Sequence, residues 1–401
     1  MLFGKLLLPL QPSIVRIEDT VMDIAIYTLT SELHDEASVA AVTKEFLGSL
    51  GFEFDFKGSD FADYGTHPLD LIYVRTGGTE GIFSLLISHF SPLTSHHRPI
   101  YLLTSGKSNS LAASMEMLSY LNQQGIKGEI IHGTAEYIRR RIGLLAKVSK
   151  ARESLRGCRL GVIGKPSDWL ISSQADYAVL HEVLGLQMVD IAMEELLDAH
   201  KVSGSIYDAL KTIIANHHLQ GFTLRCFDLL SALNDTGCMA LARLNAEGIV
   251  AGCEGDVPAL VTMMIVHSFT GLSGFQANPA SINVETGEML FAHCTIPLNM
   301  VERYELDTHF ESGIGTAVRG FMALGDVTIA KVAGVLSRYF IAEGTLVRNE
   351  SKPDLCRTQQ VIRLADPTQT NYFLTHPIGN HHIVVPGHWG ATLRQFMETI
   401  R

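Results

Sequence analysis

Two carboxylates interrupt an apolar stretch beyond the middle of the chain. The segment GCEGDVPALVTMM, residues 252–264, carries Glu254 and Asp256 between a strand-like run, GIVAGC, and a helix-like run beginning near Val257. In open α/β sheets ligands gather outside the carboxyl ends of strands, and both acids stand at such an end. Asp256 also suits a helix N-cap, with Pro258 acceptable in the first turn. The cap leaves Glu254 unexplained, because a carboxylate in such surroundings is costly unless a cation or hydrogen-bond donors compensate it.

Histidines supply a second candidate. In GNHHIVVPG, residues 379–387, His381 and His382 enter a β-like segment, where neighbouring residues face opposite sides, so only one of them points into a given site. FAHCTIP places His293 on another β-like run of the same half. Oxygen ligands with one imidazole suit a divalent ion such as Mn²⁺, whereas structural zinc more often takes paired thiolates. Cys158, Cys226, Cys238, Cys253, Cys294 and Cys356 are scattered singly, without a CxxC pair, and read as buried free thiols. TSGKS at 104–108 follows a strand and opens a helix, but a phosphate-binding loop needs glycine where Tyr101 stands. It reads as a Gly/Ser turn.

These groups require a scaffold. From residue 20 to about 155, strand-like and helix-like segments alternate, as in LDLIYVRTGG, TEGIFSLLISHF and RPIYLLTSG, which predicts a mostly parallel layered α/β domain over 1–156. A second cycle begins at CRLGVIGKPSDWL and ends in PALVTMMIVHSF, giving a second Rossmann-like α/β domain over 157–274. After 275, short β-like runs separated by turn residues predict a β-rich domain to residue 401, an antiparallel sheet or barrel closed by the helix of HWGATLRQFMETIR.

The 401 residues, 46% of them hydrophobic, suffice for several cores. A net charge of −11 without a basic block argues against nucleic acid or an anionic membrane as partner. The one basic cluster, YIRRRIGLLAK at 137–147, reads as a solvated helix face. No apolar run reaches the length of a membrane span, and LLLPLQPSIV is short and broken by prolines, so neither a membrane helix nor a secretory signal is expected and cytoplasmic placement is.

The runs NSLAASMEMLSYLNQQG, GVIGKPSDWLISS, ARLNAEGIVAGCEGDVPALVTM, FQANPASI, LFAHCTIP, CRTQQ and GNHH, in this order, resemble the L-fucose/L-arabinose isomerase superfamily, in particular its shorter fucose isomerase-like branch. The resemblance implies a Mn²⁺-dependent aldose–ketose isomerase working through a cis-enediol on a small-molecule sugar, in a homo-oligomer, trimer or hexamer, that shares active sites between subunits. It implies metal ligands at Glu254, at the position of Asn278 and at His381, with His382 the alternative should the match slip by one. The family has an acid where this chain has Asn278, and an amide brings neither the negative charge nor the proton-accepting capacity of a carboxylate. Glu254 is then ligand and base, and Asp256 or a metal-bound water takes the second proton-transfer role.

Around that core, His293 is expected beside the substrate or behind a ligand. Trp169 in KPSDWL either stacks on a sugar face or belongs to the core. Arg357 and Gln359 in CRTQQ project toward the cleft or lie on an exposed strand face. The cleft is expected between the second domain and the β-rich domain. The rival class is a catalytically silent carbohydrate-binding or regulatory protein with a degenerate metal site. Sequence leaves open which sugar is taken, because ring stereochemistry is read by pocket shape.

Overall fold

The computed structural model describes residues 23–90 and 98–400. The expectation placed on LLLPLQPSIV falls outside them. Two compact units divide the described residues, 23–153 with 395–400, and 154–394.

In the first unit the strands β1 (Ile24–Leu29), β2 (Asp55–Gly58), β3 (Leu69–Val74), β4 (Ile100–Thr104) and β5 (Gly128–Ile131) form a parallel sheet in the order β2-β1-β3-β4-β5. Helices α1 (Glu36–Leu50), α2 (Glu80–Phe90), α3 (Ser110–Gln123) and α4 (Ala135–Leu155) alternate with the strands. The strand β1, IAIYTL, is buried throughout, as a parallel strand covered on both faces must be. The TSGKS turn leads into α3 with Gly106, Ser108 and Asn109 in left-handed backbone.

The second unit carries the groups singled out above. Its parallel sheet has the order β7-β6-β8-β9, from β6 (Arg159–Ile163), β7 (Gln187–Ile191), β8 (Gly221–Leu224) and β9 (Val250–Cys253). Helices α5 (Tyr177–Leu184), α6 (Met193–Ser203), α7 (Ile206–His217), α8 (Phe227–Leu233), α9 (Cys238–Ala246) and α10 (Val257–Thr270) belong to the same cycle. At the outer edge of β9, where a further strand would pair, two side-chain amides substitute for one. Asn245 both donates to the carbonyl and accepts from the N–H of Ala251, at 2.8 and 2.9 Å, and Gln276 does the same for Cys253, at 3.2 and 2.9 Å.

The β-rich part is a closed antiparallel barrel. Its strands are β10 (Phe275–Asn283), β11 (Glu288–His293), β14 (Gly325–Val332), β15 (Tyr339–Asn349), β16 (Thr358–Leu364) and β17 (His382–Pro386), joined as β10-β11-β16-β15-β14-β17; β12 (Arg303–Asp307) and β13 (Ala317–Phe321) form a separate antiparallel pair. The layered α/β class with a β-rich C-terminal part, expected from the alternation of segments, is the architecture observed. Alternate residues of a strand share a face. Met289 and Phe291, Val327 and Ile329, and Val384 all belong to the barrel core. The next position in each series is polar and buried: His293, Lys331 and His382. The barrel interior therefore turns from hydrocarbon to titratable groups within one step of the pleat. The short helix α11 (Thr370–Thr375) precedes β17, and of the final helix α12 (Gly390–Ile400), residues 395–400 belong to the first unit.

Candidate functional site

The turn between β9 and α10 presents Glu254. Glu254 and Gly255 both adopt left-handed backbone, with φ of 62° and 63°. For a residue with a side chain this conformation is strained and must be held by its surroundings. Ser167, on the loop after β6, holds it by donating its hydroxyl to the Glu254 carbonyl, and Gly255 N–H donates to Leu224 O at 3.0 Å. A side chain at position 255 would meet Lys165 O at 2.9 Å and Ser167 N at 3.0 Å, which explains the glycine there. One residue on, Asp256 caps α10, accepting from Ala259 N–H at 2.8 Å.

Two barrel histidines meet this turn. Glu254 Oε1 lies 3.3 Å from His293 Nε2 and 3.6 Å from His381 Nε2. The three residues can bring one ligand atom each within 4.8 Å of one another, and they form the one such His/Cys/Asp/Glu group among the described residues. His381 Nδ1 donates to Asp256 Oδ2 at 2.8 Å, and the same oxygen faces Lys331 Nζ at 3.6 Å. The side chains of His381, Asp256 and Lys331 are fully buried. Committing Nδ1 to a carboxylate fixes the tautomer and aims Nε2 at Glu254, the usual way a protein orients a metal-binding imidazole.

Charge reinforces the arrangement. Burial alone would raise the Glu254 pKa, but His293 and His381 outweigh it and hold the carboxyl well below its ordinary range. Burial likewise opposes ionisation of Asp256, yet Lys331 and His381 bring it down to about 2. His381 is lowered by burial and raised more by Asp256 and Glu254, ending at about 9. At His293 burial prevails and the imidazole pKa falls.

Several buried polar atoms here have no hydrogen-bond partner among the described residues: His293 Nδ1 and Nε2, His381 Nε2, Asn278 Oδ1 and Lys331 Nζ. Buried polar atoms are rarely left unmade without a reason. One carboxylate and two unpartnered imidazole nitrogens directed at one point fit a divalent cation, and the oxygen–imidazole mixture accepts Mn²⁺ among others.

No family model matches the chain. Curated relatives do. A sulfoquinovose isomerase from Alkalicoccus urumqiensis is 21% identical over 230 residues, 49% of this chain and 52% of that protein. A sulfoquinovose isomerase from Priestia megaterium is 23% identical over 175 residues, covering 42% of this chain and 39% of its own, and one from Clostridium sp. is 29% identical over 90 residues, 22% and 20%. The chain spans about half the length of the curated relatives it matches, or less.

The residues singled out from sequence fall into two groups. Glu254, Asp256, His293 and His381 come together. Asn278 lies on β10 two residues from Gln276, on the face from which Gln276 reaches Cys253 beside Glu254. His382, the alternative ligand, is occupied elsewhere: Nδ1 faces Asn380 O at 2.9 Å and Nε2 faces Tyr372 OH at 3.0 Å, and burial with Lys331 nearby lowers its pKa to about 3. His293, expected at the substrate, stands in the cluster in its place. Asp256 has one oxygen on the α10 cap and the other on His381, which puts it behind that imidazole. Gln359 is buried and clasps its own loop through Lys352 and Cys356, and Arg357 donates to Thr308 O at 2.8 Å; both secure loops and neither belongs to the cluster. Trp169 is 40% exposed, not core. It lies on the Ser167 loop with the Arg225 guanidinium 4.6 Å above its ring and Phe227 edge-on at 5.6 Å.

Lys331, Ser167 and Gln276 escaped the sequence reading. For Lys331 a signal existed, since in VTIAKV the inward series Val327, Ile329 continues onto it. The roles of Ser167, on a loop, and Gln276, on β10, depend on distant segments meeting across the fold and leave no local trace.

Proposed function

We propose that this chain is a metal-dependent aldose–ketose isomerase of the L-fucose/L-arabinose isomerase kind, with Mn²⁺ held by Glu254, His293 and His381. The convergence of one carboxylate and two unpartnered imidazole nitrogens carries this reading. The sulfoquinovose isomerases among the relatives support a sugar as substrate, and sulfoquinovose is the first to test, followed by L-fucose and L-arabinose. A bound divalent ion polarises the neighbouring carbonyl and hydroxyl oxygens of a sugar, which acidifies the proton between them.

The chain's own groups do the rest. The Glu254 carboxylate enters ionised and takes the proton from C2 of an aldose, returning it at C1, while the proton of the C2 hydroxyl passes to the C1 oxygen. Asp256 keeps His381 in the tautomer that offers Nε2, and Lys331 holds Asp256. Trp169, stiffened by Arg225, is the exposed aromatic ring on the Ser167 loop that would stack on an apolar sugar face. The homo-oligomeric assembly and cytoplasmic placement belong to the same proposal; light scattering on the purified chain tests the first.

Asn278 favours a second reading, a carbohydrate-binding protein without turnover, because an amide cannot serve as the second proton acceptor. Incubation with Mn²⁺ and each sugar in deuterated water separates the two. Deuterium entering at C2, lost in Glu254→Gln, is the result expected of the isomerase; sugar binding with no exchange in any of the three supports the binding protein.

A further inference from the structure

Cys226 and Cys253, 27 positions apart in sequence, bring their Sγ atoms to 3.2 Å. Cys226 immediately precedes α8 and Cys253 ends β9, paired in register with Leu224. The contact thus joins two adjacent strand ends at the edge where the cluster lies. Cys226 is half-buried and Cys253 buried. Cys253 is peptide-bonded to Glu254, the residue held in left-handed backbone.

We propose that Cys226 and Cys253 are a peroxide-responsive pair whose reversible disulfide displaces Glu254 from the cluster. The more accessible Cys226 reacts first. Its sulfur attacks hydrogen peroxide, becoming a sulfenic acid as one oxygen transfers and water leaves. The Cys253 sulfur then attacks that sulfenic sulfur, the S–S bond forms, and its proton leaves with the hydroxyl as a second water. In sum, two thiols lose two hydrogens and one peroxide becomes two waters.

Bond formation needs an S–S distance of about 2.05 Å, so the sulfurs must close by more than an ångström. Gln276 holds the Cys253 backbone on the barrel side, at both its N–H and its carbonyl. The adjustment therefore falls on the short turns after β8 and β9, and the second of these carries Glu254. This coupling to the metal rests on the reading of Glu254 as a ligand; the disulfide itself does not.

The test treats the full chain with hydrogen peroxide, then compares intact mass, a peptide map and Mn²⁺ titration before and after dithiothreitol. Expected are a Cys226–Cys253 linkage, Mn²⁺ affinity lowered by about tenfold or more, and recovery of both on reduction. Cys226→Ser should keep its Mn²⁺ affinity through peroxide treatment; Cys226→Ala replaces it if the serine variant does not fold. The map also separates this pair from linkages of either cysteine to neighbouring Cys238, and from Cys294 and Cys356, which pack with Cys238. Absence of the linkage overturns the proposal, and a linkage that leaves Mn²⁺ affinity unchanged overturns its coupling to the site. Reduced protein that binds no Mn²⁺ overturns the metal reading alone, and the mapped linkage then still stands for the disulfide.

Discussion

Asn278 has a buried carbonyl oxygen without a partner, on the β10 face that also carries Gln276. Asn278→Asp adds a carboxylate on the β10 face that also carries Gln276, and Mn²⁺ affinity should rise by about tenfold or more, measured by titration calorimetry; an unchanged affinity means that position 278 adds nothing to the Glu254, His293 and His381 ligands. Lys331 answers to a different measurement. Lys331→Met removes one of the two cations facing buried Asp256 and leaves His381 as the other, so it should lower unfolding stability by about 1–3 kcal/mol in urea, with much of that loss recovered in the Lys331→Met, Asp256→Asn double variant. His381 gives a pH dependence to the metal-free protein. Its folded pKa of about 9 lies above the ordinary 6.5, so its contribution to stability is complete below 6.5 and is lost as pH rises through 9. Melting temperatures of chelator-treated protein should fall over that window, and the fall should shrink in His381→Gln.

At the level of elements, the β9–α10 turn is the part most exposed to small changes. Gly255→Ala combines a left-handed backbone at φ of 63° with contacts to the Ser167 loop, and should cost about 1–3 kcal/mol. Mn²⁺ affinity should drop with it, because the same turn aims Glu254; a variant that loses stability and keeps its affinity would show that the turn tolerates the change without moving the carboxylate. This turn was largely legible in the sequence. A strand, two acids, a proline and an apolar helix appear in that order, and the Asp256 cap follows from its residue type. The histidine partners were legible only in part. Period-two alternation puts His293 on the inward face with Met289 and Phe291, whereas the choice between His381 and His382 depends on Tyr372 and Asn380 engaging the latter. The approach of Cys226 to Cys253 had no local signal at all, since it arises from the pairing of β8 with β9.

Across the molecule, the cluster and all its supporting groups lie within residues 154–394. At Mn²⁺ a hundredfold above Kd, binding adds about 2.7 kcal/mol to the state that holds the ion. Hydrogen exchange should therefore slow in the segments around Glu254, His293 and His381, while the sheet β2-β1-β3-β4-β5 keeps its metal-free rates; equal slowing in both units would mean that they open together. The alternation of segments announced two parallel sheets and a β-rich end, and among the described residues no helix is long and apolar enough to cross a membrane. Barrel closure was less accessible, because it depends on β10 meeting β17, and these strands are a hundred residues apart in the chain. The borrowed amides of Asn245 and Gln276 have a consequence of their own. A terminal strand such as β9 offers a free row of donors and acceptors onto which a misfolded neighbour can zip. Here that row is met from within the folded chain, so this margin of the native protein is closed to intermolecular strand addition.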